Sequence, residues 1–570
     1  MLDRAQTRTV DSSLASGECP AWPRSRFRTS RLPWSRRYHQ RNDEMTSFQQ
    51  ACIVGSGIGA LSAAVLLIRD AGMPGSHIRI LEESTLPGGA LDGGGDARQG
   101  YVTRGGRMFT DETYTCLWNV LESIPSPGTP NRTVRDEILA FNALWRSDAH
   151  ARLIDRNRRI LDASDLGFNF QDRLELMRLL ATPERALGTK RIEECFSTHF
   201  LDTHFWAMWR TTFAFQNWHS AVELKRYMLR FLQELPRIHT LGGVRRTEFN
   251  QYDAIVRPMV KWLLEHGVRF DYGTRVSDAD FTAGAQGLRL DTLHCLREGR
   301  PFTYSLGAHE CALITIGSMV ADSRNGNDHQ APELVRDQRD GAWTLWRNMA
   351  RKAPCFGRPE VFCGNVDESK WESFTLTMRS PLLIRRIQAF SGNAPGTGGL
   401  MTFKDSSWLM SIVVPHAPHF EDQPDSVFTL WGCGLLLDTQ GNYIEKTMSQ
   451  AGGQDILTEL MHHLGFEDIL EEVRRTTTVV PVMMPYITSE FECRSASDRP
   501  PVIPAGARNF ALLGQYVEIP EDVVFTVEYS VRGAMHGVYG LMGLDTEVPA
   551  IYHGIADPKV ALASLRTLMK

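Results

Sequence analysis

The stretch QQACIVGSGIGALSAAVLLIRDAG, Gln49 to Gly72, constrains the fold more than any other part of the chain. Its apolar run Ala51 to Val54 reads as a buried strand, and Leu61, Ala64, Val65 and Ile68 then recur at helical spacing. Between them lie Gly55, Gly57, Gly59 and Ala60. Strand, glycine turn and helix in this order cradle the phosphates of a dinucleotide. Gly55 permits the tight turn, Gly57 lets a pyrophosphate approach the backbone, Ala60 takes the close-packing third position, and the helix N-terminus faces the phosphates. A second strand, HIRILEE, brings Glu82 and Glu83 to its end about 20 residues after the turn, where a carboxylate can hold a ribose hydroxyl.

The next segment selects FAD over NAD. STLPGGALDGGG places Gly88 and Gly89 directly after the second strand, where backbone can pass close to FAD phosphates and ribose; a nicotinamide dehydrogenase is expected to run straight into a helix. Later pieces agree. HGVRFDYGTRVSDADF reads as a strand whose Val276 region meets the adenine, and HECALITIGSMV as a buried strand ending in Gly317. NFALLGQYVEIPEDVVFTVEYSVRGAMHGVYGLM reads as a strand, a turn at Gly514 and a helix from about Val524 that closes over the isoalloxazine, with Glu518 and Thr526 as further cofactor contacts. The expected fold class is α/β, with a glutathione-reductase-like FAD-binding Rossmann lobe assembled from discontinuous segments, a mixed α/β substrate lobe and a helical cover.

At 570 residues, 42% hydrophobic and 23% charged, the chain can bury a large core in two or three packed lobes. A net charge of -5 gives no basic surplus for nucleic acid. Ten scattered cysteines without a CxxC pair point to reduced thiols, a cytoplasmic setting and no metal site. No uncharged apolar run reaches the roughly 18 to 20 residues that span a bilayer, so any membrane contact is expected to be peripheral. Between Cys19 and Gln40 the chain is rich in Arg, Ser and Pro and lacks acids, so residues 1–44 read as a disordered or presequence-like tail, or as an upstream start before Met45. That tail is broken by proline and lacks helical periodicity, and the assembly is left open between monomer and homodimer. The remaining boundaries are FAD-lobe pieces at 45–133, 236–323 and 501–548, a helical substrate cover at 134–235, a substrate-channel lobe at 324–500 and a C-terminal helical segment at 549–570.

One loop, RGGRMFTDETYTCLW, puts Gly105 and Gly106 between two arginines and follows them with Asp111 and Glu112. Together with PGGALDG, FAFQNWHSAVELKRYMLRF, FNQYDAIV, TFKDSSW, MMPYITSEF with DRPPVIP, and GQYVEIPEDVVFTVEYSVR, it gives the chain from about Ala51 to its C-terminus a specific resemblance to the oleate hydratases, formerly called the myosin-cross-reactive antigen family. The resemblance implies an FAD-dependent hydro-lyase that adds water across the cis-9 double bond of unsaturated free fatty acids, turning oleate into 10-hydroxyoctadecanoate. The net reaction is redox neutral, so the flavin's role is structural and electrostatic.

The chemistry asks for two groups. An isolated alkene is a poor base, so hydration needs a strong proton donor at one carbon and an activated water at the other. A tyrosine phenol stays protonated near neutral pH, and a carboxylate can orient water while stabilising cationic charge. The resemblance assigns the donor to Tyr227, although its helix neighbours Leu224, Met228 and Phe231 equally suit a core tyrosine. It assigns the carboxylate to RGGRMFTDE, whose glycines would run the loop, from Arg104 on, beside the flavin. Here the loop is one residue longer than the family pattern, Met108 fills its first acidic position and no histidine follows, leaving Glu112 or Asp111; the longer reach favours Glu112. The plainer alternative has Asp111 or Thr110 capping the following helix and Glu112 in its first turn. For the acid end of the substrate the resemblance implies Gln251, and Ser406 and Ser407 offer further donors unless they only form a turn. His219, between Trp218 and Ser220, reads as structural. A flavin oxidoreductase acting on a lipid, or a lipid or flavin carrier, are the competing classes, because fold does not fix function.

Overall fold

Five short strands pair in parallel, in the spatial order Phe510–Leu513, Glu310–Thr315, Gln50–Val54, Ile78–Leu81 and Arg269–Asp271, and all but the last are largely buried. A parallel sheet covered on both faces explains why Ala51–Val54, Cys311–Ile314 and Phe510–Leu513 read as unbroken apolar runs rather than alternating ones, whereas the edge strand Arg269–Asp271 does not. These strands come from three separated stretches of chain, which is the discontinuous dinucleotide-binding α/β lobe that the sequence implies. The computed structural model describes residues 48–569 other than 107, 338 and 339, so the readings made for residues 1–44 lie outside the described residues.

Helix Ile58–Arg69 follows the glycine turn and packs along helix Val527–Met542. They touch at Gly59, where a Cβ would lie 3.2 Å from the Ser530 carbonyl oxygen. The close-packing position of the fingerprint is therefore Gly59 as much as the buried Ala60. The C-terminal helix begins at Val527, not near Val524: Phe525 sits at φ 65°, outside helical space, and the Thr526 hydroxyl caps the helix by accepting from the Tyr529 N–H at 3.2 Å.

A second, seven-stranded sheet runs 324–325, 477–484, 371–378, 428–434, 411–413, 401–403, 153–154, antiparallel except for its last pair. Thr375 lies opposite both Trp431 and Val480, which fixes the faces. Phe374, Leu376, Met378 and Leu430 pack beneath helices Leu382–Ser391 and Gly453–Leu464. Trp371, Ser373, Thr375, Trp431 and Cys433 form the opposite face. That face receives the glycine-rich hairpin Gly93–Asp96/Gly100–Thr103: the Tyr101 N–H donates to Thr377 Oγ1 at 2.8 Å and the Thr103 N–H to Thr375 Oγ1 at 3.3 Å. The 134–235 region supplies helices Val134–Leu144, Phe170–Ala181, His204–Phe213 and Ala221–Arg230, and also the edge strand Leu153–Ile154 of the second sheet.

Candidate active site

A cleft of about 200 Å³ opens at the C-terminal ends of the parallel strands, where nucleotides bind in such sheets. Gly55 turns the chain at φ 89°, with an added Cβ only 3.1 Å from Thr315 Oγ1. At Gly57 the same construction meets nothing within 4 Å, so its missing side chain is space belonging to the cleft. Gly88 and Gly89, at φ 115° and 56°, lay a second backbone segment on the first: the Gly88 N–H donates to the Ser56 carbonyl at 3.0 Å, and a Cβ on Gly89 would sit 3.3 Å from Gly57 Cα. Two bare backbones and a helix N-terminus converging on open space fit a pyrophosphate.

Glu82 also lines the cleft, and it braces the turn. Its carboxylate accepts from the Ser56 N–H at 2.8 Å, the Ser56 hydroxyl at 2.6 Å and the Ser84 N–H at 2.7 Å. A carboxylate offers about four acceptor positions, which leaves room for a ribose hydroxyl. Glu83 accepts from the Gly341 N–H at 2.7 Å. Val276, Gly317, Gly514 and Thr526 all lie on the cleft wall. Glu518 does not: its carboxylate lies 2.9 Å from both Arg226 and Arg494, inside a buried ionic cluster with Glu223 and Arg499. Nor do Arg104, Gly105 and Gly106 line it; Arg104 pairs with Asp92 at 2.7 Å, one residue beyond cleft-lining Leu91.

The sequence reading missed Gln515 and Asp340 on the same wall. Gln515 binds across the Gly514 turn, donating to the Thr526 carbonyl at 2.9 Å and accepting from the Phe525 N–H at 2.7 Å. Asp340 caps helix Gly341–Lys352, a pattern that Asp-Gly before an amphipathic run does announce. Burial, with Glu83 and Asp322 nearby, pushes its carboxyl up to about 7.

Tyr227 is fully buried among Phe213, Phe215, Phe231 and Phe491, and its hydroxyl donates to the Val524 carbonyl, one residue from the cleft-lining Phe525. Burial, reinforced by Tyr114 and Glu490, holds the phenol well above the ordinary tyrosine range. Arg230, one turn along the same helix, donates to the Thr113 carbonyl at 2.7 Å and pairs with Asp522 at 3.1 Å, tying the Tyr227 helix to the Asp111/Glu112 loop.

Neither acidic residue caps the next helix. Helix Thr115–Leu121 starts after Tyr114 and has no acid in its first turn. Its free N–H groups are taken instead by Glu528 of the C-terminal helix, which accepts from Cys116 at 3.0 Å and Leu117 at 2.8 Å. Thr110 closes its own turn, accepting from the Thr113 N–H at 3.3 Å. Asp111 is gripped by both Nε and Nη2 of Arg245, at 3.2 and 2.6 Å, whereas Glu112 has one contact, 3.2 Å from an Arg237 that also holds Glu234.

Apolar residues of the cleft wall pack onto the second sheet. Ala90, Met319, Val320 and Phe525 of the wall pack with Trp371, Leu409 and Leu435, and in a separate cluster on the same sheet Met108 packs with Leu400, Trp431 and Cys433. Gln251 is buried, its amide donating to Thr247 Oγ1 at 3.2 Å. Ser406 and Ser407 form a turn: the Trp408 N–H donates to Ser406 Oγ at 3.3 Å, and the Ser407 N–H to Asn442 Oδ1 at 2.7 Å. His219 is wholly buried, its Nδ1 accepting from the Gln216 N–H at 2.9 Å, and burial pushes it down to about 3. Among the described residues no group of three or more His, Cys, Asp or Glu side chains is arranged to hold a metal ion, and no helix is long and apolar enough to cross a membrane.

Comparison with known proteins extends these observations. The MCRA family pattern matches residues 48–539. An oleate hydratase of Streptococcus pyogenes serotype M49 (strain NZ131) is 35% identical over 528 residues, 91% of this chain and 89% of that protein. A linoleate hydratase of Lactiplantibacillus plantarum is 31% identical over 562 residues, 91% of this chain and 98% of that protein. Among solved structures, cyclohexylamine oxidase from Brevibacterium oxydans IH-35A aligns over 87% of this chain and 99% of its own with a TM-score of 0.48 and 13% identity, a likeness too weak to carry more than a general resemblance.

Proposed function

This chain belongs to the MCRA family, and from that membership we propose that it is a hydro-lyase which, with FAD in the cleft, adds water across the cis-9 double bond of unsaturated free fatty acids, converting oleate to 10-hydroxyoctadecanoate. The hydratase names of two relatives, each aligned over 91% of the chain, support the reaction class. The observation that carries the reading is the open nucleotide cleft with the Tyr227 hydroxyl bonded to the Val524 carbonyl beside cleft-lining Phe525, and the Arg230–Thr113 bond that ties the Tyr227 helix to the loop bearing Glu112.

Gly55, Gly57, Gly88 and Gly89 would hold the FAD pyrophosphate, with Glu82 beside the ribose. When bound, the flavin supplies a fixed wall and electrostatic surroundings to a reaction without net electron transfer. The protein groups do the proton work. Tyr227, kept neutral by its burial, gives its proton to one alkene carbon in exchange for its bond to the Val524 carbonyl. Glu112 orients a water against the other carbon and takes the proton that water sheds as the C–O bond forms, and return of that proton to Tyr227 closes the cycle. The freer carboxylate of Glu112 suits this role better than that of Asp111, which Arg245 binds at two points. Gln251 is proposed to contribute a hydrogen bond at the acid end.

Incubating FAD-loaded protein with oleate in oxygen-18-labelled water, followed by mass spectrometry, tests the proposal. Gain of one labelled oxygen is the expected result. Loss of two hydrogens with peroxide formation would instead mark an oxidase, and unchanged oleate a carrier.

A further inference from the structure

Glu112 is held by a single contact, to Arg237, so the position of its carboxylate is set by the backbone of its own loop and by whatever fixes that arginine. Both lead to residues 549–569. This stretch comprises the short turn Gly554–Ala556 and helix Pro558–Met569, and it lies beyond the 48–539 span of the family pattern. None of its residues lines the cleft.

Two buried arginines join the stretch to the loop. Arg230 donates from Nη2 to the carbonyl of Thr113, the residue after Glu112, at 2.7 Å, and from Nη1 to the Tyr552 carbonyl at 3.2 Å. Arg532 donates from Nη1 to the Pro549 carbonyl, and its Nη2 lies 2.9 Å from Glu528, the carboxylate that caps helix Thr115–Leu121. Asp522 sits between them, 3.1 Å from Arg230 and 2.9 Å from Arg532. A guanidinium presents its N–H groups in a fixed planar fork, so a carbonyl on one prong decides where the other points. Without Pro549 and Tyr552 both forks would lose a partner inside a buried site, where an unmet donor is costly. Thr113 and the start of the helix behind it are thus referenced to residues 549–552.

A third connection reaches Glu112 from the other side. Helix Pro558–Met569 packs along Leu232–Arg237, and its Ser564 hydroxyl donates to the Leu232 carbonyl at 2.9 Å. A Cβ on Gly554 would lie 3.2 Å from Leu232 Cβ and 3.3 Å from Gln233 Oε1, so the turn is seated directly on that segment. Arg237 stands at the segment's end. It holds Glu234 through Nε and Nη2, at 2.9 and 2.6 Å, and Glu112 through Nη2 at 3.2 Å. Burial, with the charge of Glu112, raises the Tyr552 phenol above the ordinary tyrosine range, so the stretch also lies in the field of that carboxylate.

We infer that residues 549–569 are a positioning strap for the catalytic loop, seating it through Arg230 and Arg532 and aiming the Glu112 carboxylate through Arg237. The inference rests on the hydratase reading only for what Glu112 does once aimed. Misplacing a reacting group by about 1 Å can cost about 100-fold in rate, so a strap remote from the cleft can govern turnover.

Hydrogen exchange read by mass spectrometry, beside oleate turnover at saturating FAD, tests the strap. Gly554→Val drives a side chain into Leu232 and Gln233 and should lift the stretch from its seat; Ala556→Val, at an exposed position of the same turn, is the control. In Gly554→Val the amides of residues 109–117 should exchange about 10-fold faster or more while those of residues 51–54 do not change. Its kcat should fall about 10-fold or more with KM within about twofold of the parent. A chain ending at Val548 should show the same pattern more strongly, and Gly554→Val decides the matter if that shorter chain does not fold. Faster exchange spread evenly over the molecule would make the stretch a general stabiliser and overturn the strap, as would parental loop exchange or parental kcat in Gly554→Val. Loop exchange that follows the stretch in a protein that does not hydrate oleate would uphold the strap and remove the hydratase reading instead.

Discussion

Replacing Gly57 by valine separates the cleft from the fold. The residue sits at φ -68° and ψ 172°, extended backbone that a β-branched side chain adopts readily, and an added Cβ meets no atom within 4 Å. The flavin-free variant should therefore fold with a stability within about 1 kcal/mol of the flavin-free parent, a few degrees at most in melting temperature. The isopropyl group, however, fills the volume through which a pyrophosphate reaches the N–H groups at the start of helix Ile58–Arg69. Hydrogen bonds to a charged group contribute about 1.5 to 3 kcal/mol each, so losing two costs about 3 to 6 kcal/mol, a 100-fold or greater loss of FAD affinity. Gly55→Ala is the contrasting control, since at φ 89° and 3.1 Å from Thr315 Oγ1 it should damage folding itself. The assay is an FAD titration beside a melting curve for each flavin-free protein. A Gly57→Val protein that folds and binds FAD with parental affinity would refute the placement of the pyrophosphate. So would a Gly55→Ala protein indistinguishable from the parent refute the packing argument.

Glu112→Gln should lower oleate turnover about 100-fold or more while costing no more than about 1 kcal/mol of stability, because its ion pair with Arg237 is partly exposed. Asp111→Asn should do much less to turnover, and the reverse pattern in a steady-state assay would move the role to Asp111. Tyr227→Phe should lose turnover and about 1 to 3 kcal/mol of stability, since the Val524 carbonyl is left buried without its donor; near-normal rates well below the melting point would remove the proposed proton donor. His219 is pushed from 6.5 down to about 3 by burial, so the unfolded chain binds its proton first as pH falls. Its contribution to stability is full above about pH 6.5 and is lost progressively between there and about pH 3, and His219→Gln should flatten that part of a melting-temperature profile. An unchanged slope would rule out His219 as its source.

What was legible in the sequence is what short-range physics dictates. The strand at Ala51–Val54, the turn at Gly55 and Gly57 and the pair Gly88-Gly89 lie within a few residues of the partners that define them, and each is found where periodicity and glycine spacing put it. Even the start of the last helix was missed only by three residues, because Phe525 adopts a left-handed conformation that no propensity announces. Glu518 misled for the opposite reason. It stands in a segment otherwise devoted to the cofactor cleft, but its partners Arg226 and Arg494 come from elsewhere in the chain, and charges find each other through the fold rather than along the sequence.

The loop that carries Asp111 and Glu112 shows what such long-range contacts permit. A helix whose N-terminus is capped by its own preceding loop ties the length and composition of that loop to the survival of the helix. Here the cap is Glu528, some 412 residues away from Cys116, held in place by Arg532 at 2.9 Å. The loop is therefore free of capping duty. It can turn Met108 toward Leu400 and Trp431 without unmaking the helix behind it. What sets Met108 instead is the antiparallel bridge between Phe109 and Arg245, bonded in both directions at 3.0 and 2.7 Å.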